Sequence, residues 1–199
     1  MATAPTPPIH HTNDDSVRLL HPMFTSCGNY VRIHTFADGS CFYHALAGAL
    51  GRYSAGDSLE VIRQVGLELR AEAVGTADGW DAFLVSRGFG SDATRSALEV
   101  RDWEVAARYD VYANDLLWNL AAETLGICIA VIQSPCVVYT THDMSTLQEL
   151  HQDVVVLCWI DQNHFEPVLR EQVSPNGLPR GRFRYDDPLV HAIARIVDC

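Results

Sequence analysis

Two short apolar runs constrain the fold most: Ile127-Cys128-Ile129-Ala130-Val131-Ile132 and Asp153-Val154-Val155-Val156-Leu157-Cys158-Trp159-Ile160. A strand with one wet face alternates apolar and polar residues, so unbroken runs of this length indicate strands covered on both faces. Covering both faces needs helices, and the sequence supplies them. Apolar residues fall at helical spacing from Cys41 to about Leu50, and Gly51 ends that stretch. Asp57-Ser58 offers an N-cap for a helix reaching Val74, a shorter helix fits Asp78 to Ser86, and another fits Asp92 to Ala107. Asn114 caps a helix over Asp115 to Leu125, closed by Gly126, and Asp187-Pro188 starts a last helix running through Val197.

The remaining strands are shorter. Val31 to Phe36 alternates and reads as a half-buried strand, and Val137 to Thr141 is a further short one. Asp161-Gln162-Asn163 is a turn joining the second apolar run to a strand over His164 to Leu169, as in a hairpin. An early strand, a helical middle and a late group of strands imply an α/β or α+β architecture, a small central sheet flanked by helices. Residues 1–20, rich in Pro, Thr, His and Asp, are expected to be a mobile leader, and 21–199 a single domain.

Composition narrows the function classes. The 25 acidic residues against 14 basic ones give a net charge of −11. The basic residues are dispersed, apart from Arg180-Gly181-Arg182-Phe183-Arg184, which argues against a nucleic-acid partner. No apolar run approaches the ~18 residues of a membrane span, and the N-terminus lacks a secretory pattern, so neither membrane insertion nor general export is expected. The six cysteines form no CxxC pair, so neither a zinc ribbon nor a disulfide framework is indicated.

One of those cysteines stands out by its surroundings. Cys41 falls at a helix N-terminus, where unpaired N–H groups and the helix dipole stabilise a thiolate. The preceding Asp38-Gly39-Ser40 turn can aim successive backbone N–H groups into one space, as an oxyanion hole requires. A base must come from elsewhere, and His164, at a strand start just after a turn, is rigid and accessible. Residues 164 and 166 point the same way on a strand, so Glu166 can orient the imidazole. Against this stands the plain alternative of a small buried hydrophobe and a solvated histidine.

Two local patterns favour the chemical reading. Asp38-Gly39-Ser40-Cys41-Phe42-Tyr43-His44-Ala45-Leu46 resembles the cysteine signature of the OTU (ovarian tumour) family of cysteine proteases. Asn163-His164-Phe165-Glu166-Pro167-Val168 resembles that family's histidine motif, and the likeness spans about Val31 to Leu169. The resemblance implies a papain-type OTU fold and a deubiquitinase that cuts after the C-terminal glycine of ubiquitin or a ubiquitin-like modifier. It implies Cys41 as nucleophile, His164 as general base and then acid, and Asp38 as the acidic residue of the cysteine loop. The backbone N–H groups of Asp38, Gly39, Ser40 and Cys41 would form the oxyanion hole, and the resemblance implies no metal and no cofactor.

The third member of the triad stays open between Glu166, Asn163 and Asp161, because the family often carries Asp or Asn two residues after the histidine. Tyr112-Ala113-Asn114 stands where many members have Trp-Gly-Gly before the helix. The expected partner is ubiquitin or polyubiquitin, gripped by a monomer through the helices between Asp57 and Arg108. Phe42, Tyr43, Trp118 and Trp159 are expected to pack in the core. A catalytically inactive ubiquitin-binding module and a viral polyprotein-processing protease are the alternatives. The expected setting is a eukaryotic host cytoplasm if the chain is a bacterial effector with a role in virulence or a viral enzyme, and the cytoplasm otherwise.

None of the 14 basic residues is a lysine, although lysine is among the commonest residues of soluble proteins. Codon usage in a GC-rich genome accounts for that without selection on the protein, whereas selection against ubiquitin acceptors makes a different prediction. In that case, replacing several exposed arginines by lysine shortens the half-life in eukaryotic cells, and proteasome inhibition restores it. A pulse-chase comparison checks this, and equal half-lives would remove the idea.

Overall fold

A computed structural model describes residues 10–12, 30–33, 35–53, 57–88, 107–108, 113–133, 137–144, 146, 153–161, 163–170 and 181–197. In chain order the elements are β1 (His10–Thr12), β2 (Tyr30–Ile33), α1 (Cys41–Ala49), α2 (Leu59–Val74), α3 (Ala77–Ser86) and α4 (Asp115–Leu125). They are followed by β3 (Cys128–Gln133), β4 (Val137–Thr140), β5 (Val154–Ile160), β6 (His164–Arg170), β7 (Arg182–Phe183) and α5 (Pro188–Val197). The strands form one seven-stranded sheet in the order β1-β2-β6-β5-β3-β4, with β7 also on β5.

The two apolar runs are β3 and β5, and they pair in parallel from Cys128↔Val154 to Gln133↔Trp159. Their side chains divide by parity, as a pleated strand requires. Ile129, Val131, Val155 and Leu157 pack with α1 to α4, whereas Cys128, Ala130, Val154 and Val156 pack with Leu189, Val190, Ala192 and Ile193 of α5. The sheet is therefore a filled layer between two helical layers, and the α/β class read from the sequence holds.

Helix boundaries follow the caps. The Ser58 hydroxyl accepts from Val61 N–H, Thr76 from Gly79 N–H, and the Asn114 side chain from Leu117 N–H. Asp187 caps α5 by accepting from Leu189 N–H. Gly126 takes the left-handed conformation that ends α4. The short helix read from Asp78 begins one residue earlier because Thr76 supplies the cap. Most of the helix read over Asp92 to Ala107 lies outside the described residues, as does Tyr112.

Two strands have no signal in the sequence. His10–Thr12, inside the expected leader, pair antiparallel with β2, so the leader reading does not hold for those three residues. Arg182–Phe183 form the two-residue β7, too short for any periodicity. In turn, β2 starts at Tyr30 and ends at Ile33 instead of continuing to Phe36. Beyond it, Thr35 stays beside β6, its hydroxyl donating to the Phe165 carbonyl, and Phe36 leads into the loop before α1.

Helix α1 is the centre of the molecule. All nine of its residues are buried, matching a segment that is apolar on all sides. Nine residues are too few for a helix to persist alone in water, so packing sustains it. Gly66 on α2 permits the close crossing: a Cβ there would lie 2.0 Å from Nδ1 of the fully buried His44. At Gly79 of α3 a Cβ would meet only the Thr76 hydroxyl, at 3.4 Å. Gly66→Ala is accordingly expected to cost about 1–3 kcal/mol by overpacking, while Gly79→Ala is neutral or gains up to ~1 kcal/mol from helix propensity. Urea unfolding of the two variants checks the contrast.

Candidate active site

Four of the five described helices have a side chain bonded to their first turn, and α1 is the exception. Ser40 sits at its N-cap with no side-chain cap bond, and no acidic residue lies in the first turn. The Ser40 hydroxyl instead accepts from Nη1 of Arg70 on α2, at 3.2 Å. The helix that carries Cys41 thus has neither a side-chain cap bond nor an acidic residue in its first turn, and its N-terminal dipole favours negative charge on the sulfur.

The β5–β6 hairpin brings the histidine to this helix end. Ile160 pairs with His164 across the three-residue loop 161–163, and Asp161 takes a positive φ of 49° there, a conformation Asp tolerates better than most residues. The Cys41 thiol donates to the Asn163 carbonyl at 3.8 Å and lies close enough to His164 to act on its protonation. On the other side, His164 Nε2 lies 3.6 Å from Glu166 Oε1 and 3.4 Å from the Thr35 hydroxyl. Glu166 Oε2 lies 3.3 Å from Arg32 Nε.

Burial alone would lower the His164 pKa, but hydrogen bonds and charge from Cys41 and Glu166 outweigh it and raise the value to about 9. The imidazole is thereby held toward its cationic form at neutral pH, the state in which it supports a thiolate. A second histidine of the motif behaves in the opposite way. His44 is pulled below the usual histidine range by burial, only partly offset by Asp38.

Of the residues singled out in the sequence, the structure brings Cys41, His164 and Glu166 together. Asp38 serves the loop itself: its Oδ1 accepts from Ser40 N–H at 2.9 Å and its carboxylate pairs with His44 Nε2 at 3.2 Å. The expected oxyanion donors are partly committed elsewhere, which corrects that reading for this conformation. Ser40 N–H is bonded to the Asp38 side chain and Cys41 N–H to the Asp38 carbonyl at 3.1 Å. Asn163 is exposed and meets Cys41 through its backbone carbonyl, and Asp161 is exposed as well. Of the three candidates for the third position, Glu166 is the one whose side chain reaches the imidazole.

The site also depends on residues outside the two motifs. Among the described residues, the buried polar or charged side chains are Arg32, Thr35, Ser40, His44, Arg70 and Glu166. All six surround the cysteine loop or the histidine strand, and such a concentration of buried polar groups marks a functional site more often than a packing accident. Arg70 also lies over the Tyr43 ring, 4.9 Å from its centroid. Arg32, Thr35 and Arg70 carry no local sequence signal, because each is defined by a partner far along the chain. The aromatic residues behave as expected of packing: Phe42 stacks on Trp118, and Trp159 on Phe165. Among the described residues no cluster could hold a metal ion, and no helix is long and apolar enough to cross a membrane.

No protein-family model and no curated protein sequence matches the chain. Solved structures do. The chain is similar to an ovarian tumour (OTU) domain in complex with ubiquitin, with a TM-score of 0.56 and 12% identity over 84% of each chain. It is also similar to the OTUD1 OTU domain (TM-score 0.46, 19% identity, 70% of this chain and 85% of that one). A third likeness is to an OTU deubiquitinase from Wolbachia pipientis wMel (0.45, 15%, 74% and 92%). The first of these establishes the fold: the chain adopts the OTU fold.

The imidazole geometry makes a direct prediction. His164 is expected to titrate near pH 9 in the folded protein, and Cys41→Ala, by removing one of the two groups that raise it, to move the titration toward 6.5. Ring-proton NMR checks both values. Since the folded value lies above that of a free imidazole, the stabilisation from this group is complete below about pH 6.5 and is lost as pH rises through about 9.

Proposed function

We propose that the chain is a cysteine-type deubiquitinase, a thiol isopeptidase that hydrolyses the bond between the C-terminal glycine of ubiquitin, or of a ubiquitin-like modifier, and a substrate lysine. The observation that carries the reading is the line Cys41, His164, Glu166 at the uncapped end of α1, set within the OTU fold. The ubiquitin named for the OTU structural neighbour supplies the choice of substrate class.

In this mechanism the Cys41 sulfur attacks the glycine carbonyl while His164 holds the thiol proton. The tetrahedral intermediate collapses as the C–N bond breaks, and His164 gives its proton to the departing lysine amine. A water then attacks the thioester carbonyl, His164 takes the water's proton, and the C–S bond breaks to release the glycine carboxylate and restore the thiol. Glu166 keeps the imidazole oriented through both steps. The bonds within the Asp38–Cys41 loop tie up two amide donors, so the oxyanion needs either the Gly39 amide or a rearranged loop.

The proposed setting is one where ubiquitin is present, the cytoplasm of a eukaryotic cell, whether the chain arises there or is delivered as an effector. Ubiquitin or a polyubiquitin chain is the proposed partner, and the exposed acidic face of α2, with Glu60 and Glu68, is a proposed part of its docking surface.

A ubiquitin bearing a C-terminal electrophile is expected to label the wild type and not Cys41→Ala. Glu166→Ala is expected to lose ~10²–10⁴ in diubiquitin cleavage rate, and Asn163→Ala to stay near wild type. A wild type that is neither labelled nor cleaves any of the diubiquitin linkages would overturn the reading in favour of a binding module.

A further inference from the structure

We propose that Arg32 is a positioning residue that acts on His164 through Glu166, so that the reactive pair is the end of a four-residue line beginning on β2. The inference rests on the reading of Cys41 and His164 as nucleophile and base, and it adds a residue outside both motifs.

Strand register sets up the line. Arg32 pairs with Val168 of β6, and residues of equal parity on β6 share one face, so Glu166 is its diagonal neighbour and His164 lies two residues further on. The Glu166 carboxylate sits between two cations or potential cations, with Oε2 at 3.3 Å from Arg32 Nε and Oε1 at 3.6 Å from His164 Nε2. Arg32 and Glu166 are 8% and 5% exposed. A carboxylate this deeply buried favours its neutral form unless a cation holds the charge. A neutral carboxyl gives the imidazolium little support, so the charge on Glu166 is what the line transmits.

Among the described residues, two other titratable groups near Glu166, Tyr53 and Cys158, do not replace Arg32. Tyr53, in the segment after α1, is pushed up by its burial and by the Glu166 charge, and its hydroxyl donates to the His44 carbonyl at 2.9 Å. Cys158 lies opposite Glu166 on β5, outside any disulfide. Neither brings positive charge to the carboxylate, and Arg32 does. Around the imidazole, the described groups that act on it include Cys41 from α1, Glu166 from its own strand, and the neutral Thr35.

The test is the pH dependence of Cys41 alkylation by iodoacetamide, read by mass spectrometry on the Cys41 peptide of the full chain. The wild-type rate is expected to show an inflection near pH 9, where His164 loses its proton. Arg32→Met is expected to move that inflection down by about one unit, Arg32→Lys to restore most of it, and Arg32→Gln to behave as Arg32→Met should the latter not fold. In a Glu166→Gln background, Arg32→Met is expected to add nothing.

An inflection that stays or moves up in Arg32→Met would overturn the inference, because loss of a cation alone favours the imidazolium. An equal downward shift with and without Glu166 would overturn it too, since Arg32 would then act by another route. A residue that merely stabilises the fold moves the unfolding midpoint and leaves this profile in place. Alkylation needs no ubiquitin, so this test can fail while the hydrolase reading stands. Equally, the ubiquitin probe can fail while the line from Arg32 holds.

Discussion

Everything in this molecule is hung on strand β5. Its parallel pairing with β3 fixes one edge, and its other edge is divided end to end, with β7 opposite Val154 and Val155 and β6 opposite Leu157 to Ile160. Buried backbone N–H and C=O groups must be paired, so a strand covered on both faces needs both edges filled over its length. That requirement brings a segment from the late chain to the first half of β5 and the histidine hairpin to the second. Because β6 goes on from β5 to pair with β2, the strand that bears His164 links the central sheet to the segment leading into the cysteine loop.

The polar chemistry of the site is buried, unlike most of the charge in the protein. Arg52 pairs with Glu72 and Arg87 with Glu123 at the surface, where water screens them and such pairs contribute little. Arg32 and Glu166 are in a different regime: losing either leaves an uncompensated buried charge, at a cost of several kcal/mol. The same side chains therefore tie local stability to the orientation of the imidazole. Arg70 does the corresponding work behind the cysteine loop, holding Ser40 and facing Tyr43.

Most of the frame was legible in the sequence because its signals are local. Asn114 with Gly126, and Ser58 before its helix, are capping patterns that depend on a few neighbouring residues, and the continuous runs of β3 and β5 declare burial on both faces without reference to a partner. The same holds for Cys41, His164 and Glu166, whose spacing alone sets two of them on one side of a strand. What escaped is non-local. His10–Thr12 become a strand only by pairing with β2, and Arg182–Phe183 only by completing β5. Arg32 and Arg70 read as ordinary arginines until the register and the crossing of α1 with α2 bring them to their partners. The oxyanion donors escaped for another reason, since which way the Ser40 and Cys41 amides point depends on a bond to Asp38 inside the loop.

The order in which the two halves of the site leave the ribosome has a consequence for the cell that makes the protein. Synthesis runs from the N-terminus, so the cysteine loop and α1 emerge long before the hairpin that carries His164, and β7 and α5 come later still. A nascent chain therefore holds the Cys41 thiol before it has the imidazole that neighbours it in the folded structure, and a product truncated before residue 164 never acquires that neighbour. The meeting of thiol and imidazole is thus confined to chains in which β6 has closed on β5 and β2.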